Sequence, residues 1–154
     1  MQRGISFEIP NKHGTLLGDV LKPIDITTFC WCIGSGESYK VVNGQLNENL
    51  FSFETKVIEG GELKNLIENN IHYIISADLQ AYRKGEFSDI RTYEEFIEST
   101  CELVLLVVDS CYVSIYCKNK ELIEMLYMNA SECRFKEIEY ITDKNDTRTR
   151  LSVW

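Results

Sequence analysis

The sequence predicts an α+β fold, a single layer of mostly antiparallel sheet with three to four helices packed on one face. Three observations carry this. The stretch Cys101–Ala130, CELVLLVVDSCYVSIYCKNKELIEMLYMNA, reads as a buried strand, a tight reversal, a second strand and an amphipathic helix. Strand-like segments outnumber helical ones along the chain. Several strands follow one another through connections too short for a crossover helix, which makes antiparallel pairing the expectation. No internal repeat or linker divides the 154 residues, so one domain spanning 1–154 is expected.

The elements follow in order. Arg3 to Ile9 alternates, with Ile5, Phe7 and Ile9 on one face, and Pro10-Asn11 ends it. Leu16, Leu17, Val20 and Leu21 have helical spacing, and Pro23 stops that short helix. Ile26 to Ile33 (ITTFCWCI) is β-branched and aromatic, hence a strand. Gly34-Ser35-Gly36 then reads as a hairpin turn into a returning strand, Tyr39 to Val42, with Asn43-Gly44 as a second hairpin signal. Gln45 to Asn49 has no clear pattern. Phe51-Ser52-Phe53 puts two aromatics on one face of a short extended piece.

Gly60 to Asn70 carries Leu63, Leu66 and Ile67 as a helical stripe. Ile71 to Tyr82 is a long strand, followed by the polar turn Arg83–Glu86. Thr92 with Glu95 makes a capping box for a helix through Tyr93, Phe96 and Ile97. Leu103 to Val108 has no polar residue and is expected to be buried on both faces at the centre of the sheet. Asp109-Ser110 allows a reversal into the strand carrying Val113, Ile115 and Cys117. Asn119 caps a helix with Leu122, Ile123, Leu126 and Tyr127 inward. Two strands, Phe135 to Thr142 and Thr147 to Val153, close the chain around the turn Asp143–Asp146.

Composition narrows the function. The net charge is −8, from 24 acidic and 16 basic residues, and no basic run exists beyond Arg148 and Arg150. That argues against nucleic acid, whose binding needs a concentrated basic surface. The longest aliphatic run, Leu103–Val108, is far too short to cross a bilayer. The N-terminus, MQRGISFEIPNKHG, lacks the apolar core of an export signal, so a cytoplasmic, reducing setting with free thiols is expected for the six cysteines.

Cys30-Trp31-Cys32 places two sulfurs on one face of a strand. A zinc site needs about four ligands at recognisable spacings. There is no CxxC, and only His13 and His72 could assist, so core cysteines and no metal or other cofactor are expected. Gly34-Ser35-Gly36 is not followed by a helix or a GK[ST] run, which sets a phosphate cradle aside. The polar face of the long strand, His72, Ser76, Asp78, Gln80 and Tyr82, sets an imidazole, a hydroxyl, an acid, an amide and a phenol in line. These could floor a binding site. The plainer reading is the wet side of an antiparallel sheet. The acidic residues of the helices (Glu62, Glu68, Glu94, Glu95, Glu98, Glu121, Glu124) suit solvated faces or a basic partner. Trp31 belongs in the core, while Trp154 is a candidate surface contact.

The opening RGISFEIPN-x-x-GTLLGD-x-LKPIDI and the ending IEYITDKNDTRTRLSVW resemble a group of uncharacterised bacterial proteins, domain-of-unknown-function family twenty-six ninety-one. The resemblance spans essentially the whole chain. It implies a bacterial single-domain protein and no activity, cofactor or catalytic residue.

The function expected from the sequence is a non-enzymatic acidic binding domain contacting a basic protein, as an immunity protein neutralises its partner through charge complementarity. The alternative is a small-molecule binder or enzyme with a pocket on the polar face of strand 71–82. A third is a homo-oligomer joined through the C-terminal strand.

Overall fold

The computed structural model describes residues 1–52, 56–83 and 86–153. The first half comprises β1 (Gln2–Glu8), α1 (Leu16–Val20), a 3-10 turn at Ile26–Thr28, β2 (Cys30–Ile33), β3 (Glu37–Val42), β4 (Gln45–Asn49), β5 (Val57–Glu59) and α2 (Gly60–Asn69). The second half comprises β6 (His72–Tyr82), α3 (Tyr93–Glu98), β7 (Cys101–Val108), β8 (Tyr112–Cys117), α4 (Lys120–Glu132) and β9 (Lys136–Thr142). Among the described residues nine strands form one sheet, seven of them in the spatial order β4-β3-β6-β7-β8-β1-β9, with β2 also paired to β6 and β5 paired to β2. All pairings are antiparallel.

β7 lies in the middle because its residues suit no other place. Leu103, Leu105 and Val107 enter one apolar cluster, and Val104 and Leu106 enter another on the opposite face. The larger cluster sits under α1, α2 and α4, which contribute Leu16, Leu17, Val20, Leu63, Ile67, Ile123 and Leu126. The smaller cluster holds Tyr82, Cys101 and Tyr116 under Phe96 of α3 and Leu151 of the C-terminal segment. Three helices thus cover one face, and α3 with the C-terminal segment covers part of the other.

Helix starts follow local chemistry. Asn119 accepts a hydrogen bond from the Leu122 amide at 3.2 Å, and Thr92 Oγ1 accepts from Glu95 N at 3.2 Å. Asn43 (φ 53°) and Gly44 (φ 75°) are both left-handed, the geometry of a tight hairpin between β3 and β4. The unpatterned Gln45–Asn49 stretch is therefore a strand, formed because that turn delivers it alongside β3.

Several expectations are corrected. Ile26–Thr28 is not strand: Asp25 accepts from Thr27 N at 3.2 Å and winds a short 3-10 turn first. Gly34-Ser35-Gly36 is not a hairpin. β2 and β3 both pair with β6, Cys30 to Ile33 against Tyr82 to Leu79 and Glu37 to Lys40 against Ser76 to His72. Together they make one strand interrupted in the middle, with β5 outside its first part and β4 outside its second, so that it forms the edge of the sheet at the break itself. The expected strand Thr147–Val153 does not form; this segment crosses the sheet as irregular chain, with Leu151 N donating to Arg91 O at 2.8 Å. Phe53, Lys84, Gly85 and Trp154 lie outside the described residues, and so do the parts of the expected elements that they formed.

Candidate functional site

The break in the edge strand creates a cavity. β5 continues outward from β2, and β4 continues outward from β3, so the outer strands diverge where residues 34–36 leave the ladder. Between them lies a cavity of about 600 Å³, floored by Ser76, Ala77, Asp78 and Leu79 of β6. Its walls come from Ile33, the Gly34–Gly36 break and Ser38 on one side, and from Asn49, Phe51, Ser52 and Lys56 on the other. This volume falls in the usual range of small-molecule sites.

Both glycines of the break are required by close approach. A Cβ on Gly36 would sit 2.7 Å from the carbonyl oxygen of Ser76, and one on Gly34 would sit 2.9 Å from the Asp78 carboxyl carbon. The Gly34 amide donates to Asp78 O at 2.7 Å, which holds the break against β6. The backbone therefore passes over the floor residues closely enough to bury them.

Asp78 is the chemical centre of the cavity. It is 9% exposed, and its Oδ1 has no hydrogen-bond partner among the described residues. Burial pushes its carboxyl up to about 6, while the positive charge of Arg148 pulls the other way. A buried carboxylate without donors is disfavoured unless something supplies them. The neighbouring hydroxyls are engaged with backbone: Ser76 Oγ accepts from Glu37 N at 3.0 Å, and Ser38 Oγ donates to Ser76 O at 3.3 Å.

The five candidates of the long strand do not share one face. Register slips between the pairs Glu37–Ser76 and Ser38–Ile74, leaving Ile75 unopposed as a bulge. One extra residue reverses the alternation beyond it. Ser76 and Asp78 thus face the cavity, whereas His72 turns under the helices. There it is 1% exposed, with Nδ1 2.8 Å from Asn70 O and Nε2 accepting from Leu17 N at 3.4 Å. Burial lowers its pKa. It is a strut that holds the start of α1.

Gln80 and Tyr82 lie on the Asp78 side but outside the cavity. The Tyr82 hydroxyl is 2.7 Å from both Gln80 Oε1 and Ser88 O, and its ring is fully buried in the smaller cluster. Burial raises its phenol well above the ordinary range. Trp154 lies outside the described residues. Trp31 is core as expected, with Nε1 donating to Ile26 O at 3.1 Å. All six cysteines are free thiols, and the described residues hold no cluster of three or more metal-ligating side chains.

The comparisons with known proteins agree with the resemblance seen in the sequence. The family described as "Protein of unknown function (DUF2691)" matches residues 2–152. The chain belongs to that family. A relative from Bacillus subtilis (strain 168), "Uncharacterized protein YncE", is 46% identical over 154 residues, covering 99% of this chain and 100% of its own. No solved structure matches. Family membership therefore adds no residue roles, and the site rests on its geometry.

Of the candidates singled out in the sequence, Ser76 and Asp78 line the cavity, whereas its wall residues were not singled out. One signal pointed to them. Lys56 is the single cation between Lys40 and Lys64, in a stretch otherwise acidic or neutral.

Proposed function

We propose that this protein binds a small polar molecule in the cavity at the broken edge strand, with Asp78 as its anchor. The observation that carries the reading is the buried carboxyl of Asp78 on the cavity floor, which is 9% exposed and whose Oδ1 has no partner among the described residues. A ligand that donates hydrogen bonds there converts a destabilising group into a recognition group. The reading is one of binding without turnover, since among the described residues no histidine or cysteine lines the cavity beside that carboxyl. It takes up the pocket alternative and moves it from His72, Gln80 and Tyr82 to Ser76 and Asp78.

The test is an amide NMR screen of the full chain against amines, carboxylates, sugars and nucleosides. At least one class is expected to move the resonances of Gly34, Gly36, Ser76 and Asp78, and to lose that effect in Asp78→Asn. A screen that leaves those amides still in every class overturns the reading.

A second reading keeps the basic protein partner. On α4, Met125 is 50% exposed and Met128 61%, flanked by Glu121, Glu124 and Glu132. Exposed methionines suit adaptable contacts, and the acidic flank suits a cationic partner. Its test is whether a salt-sensitive complex is lost when both methionines become lysine. For location we propose the cytoplasm, supported by the free thiols. Among the described residues no helix is long and apolar enough to cross a membrane.

A further inference from the structure

We infer that the ligand of this cavity is a small zwitterion, with a protonated amine on Asp78 and an anionic end at Lys56; this rests on the pocket reading above. Among the described residues around the cavity, two are ionisable, and they carry opposite charges in unlike surroundings. Asp78 is buried on the floor, and Lys56 is exposed at the rim. Among the described residues, Lys56 makes no ion pair.

The chemistry of each end follows from its surroundings. An ionised carboxylate accepts hydrogen bonds only, so the group that binds the Asp78 carboxyl must donate. A cationic donor is the strongest choice, because charge-assisted hydrogen bonds are about twice as strong as neutral ones. A metal ion is a poor fit, since a single carboxylate falls short of the oxygen ligands that hard cations require. In the cavity wall, half-buried Ile33 and Phe51 present apolar surface suited to a short methylene chain. The cavity volume admits a molecule of amino-acid size with accompanying water.

The two ends should not contribute equally. Lys56 is exposed, and exposed ion pairs contribute about a two- to fivefold preference. The pair with buried Asp78 should contribute at least about tenfold.

The experiment titrates the full chain with δ-aminovalerate, pentylamine, valerate and pentanol, following the amides of Gly34, Gly36, Ser76 and Asp78. δ-Aminovalerate is expected to bind most tightly, pentylamine about two- to fivefold more weakly, and valerate at least about tenfold more weakly. Asp78→Asn should abolish the response to both amines. Lys56→Gln should bring δ-aminovalerate down to the level of pentylamine. If valerate binds as well as δ-aminovalerate, or amine binding survives in Asp78→Asn, the assignment is wrong. If pentanol or valerate moves these amides and the amines do not, the pocket stands and the ligand class falls. If none of the four moves them, the zwitterion falls, and the wider screen decides the pocket separately.

Discussion

Asp78 shows how one buried carboxyl can cost stability. Its ordinary carboxyl pKa of 3.8 rises to about 6 in the folded chain. Between those values the folded state holds a proton that the unfolded state has released. Stability therefore falls as pH rises through that window, and the loss persists above it. A shift of about two units corresponds to about 3 kcal/mol. Asp78→Asn keeps the shape and removes the charge, so it should raise stability at neutral pH by about 1–3 kcal/mol and abolish this slope. Urea denaturation across pH would show it; an unchanged slope would mean that Oδ1 is already satisfied. His72 acts in the opposite sense. Its imidazole is buried neutral, with burial lowering its pKa against the hydrogen bond to Asn70 O and the charge of Asp19. The stability it contributes is complete above the ordinary value of 6.5 and is lost as pH falls below it. The two effects overlap in the wild type. In the Asp78→Asn background the remaining loss below pH 6.5 should be reduced by His72→Gln, which has no imidazole to charge.

The broken edge strand is the element on which the site depends. Ala at position 36 would place a methyl 2.7 Å from the Ser76 carbonyl and 3.2 Å from Ala77 Cα, both backbone atoms that cannot swing aside. Gly36→Ala should therefore lift the break from β6, cost about 1–3 kcal/mol in thermal or urea unfolding, and remove any ligand response. Ser35→Ala, at an exposed neighbour, should stay within about 0.5 kcal/mol of wild type. The central element gives a contrasting case: Leu105→Ala at a fully buried position of β7 should cost about 2–5 kcal/mol and leave the cavity residues in place. This contrast follows what was legible in the sequence. Leu103–Val108 announces its place through six consecutive apolar residues, a local signal. The break does not announce itself. A Gly-Ser-Gly between two strands looks the same whether the chain reverses or continues, and only pairing with β6, some forty residues on, decides it. The Ile75 bulge was equally hidden. Ile74 and Ile75 are both apolar, so the pattern around them reads as an unbroken alternation, and the slip is imposed by β3. Hence Asp78 could be singled out from sequence, whereas its separation from His72 could not.

Across the whole molecule, the end of the chain reaches back to the site. Arg3 of β1 holds the turn after β9, with Nε 2.9 Å from Asp143 and Nη1 3.1 Å from Asp146, and its guanidinium lies 4.0 Å from the ring centre of Tyr93 in α3. Asp146 also accepts from the Tyr116 hydroxyl at 3.1 Å and from the Arg148 amide at 3.1 Å. The C-terminal segment is then fixed by buried Leu151 and by Arg148 Nη1 donating to Ser152 O at 2.9 Å. These contacts hold the Arg148 charge where it lowers the pKa of Asp78. Arg148→Gln should leave Leu151 buried and the fold intact, because the backbone bond to Asp146 remains. It should move the Asp78 pKa above 6, a shift read directly by carboxyl-carbon NMR titration. Leu151→Ala, which loosens the segment, should move it in the same direction and also destabilise by about 2–5 kcal/mol. If Arg148→Gln leaves the Asp78 titration unchanged, burial alone sets it, and the C-terminal segment is a cover for the smaller core rather than part of the site's electrostatics. If it shifts, the last residues of the chain tune how readily the cavity floor holds a charge, although they line none of the cavity.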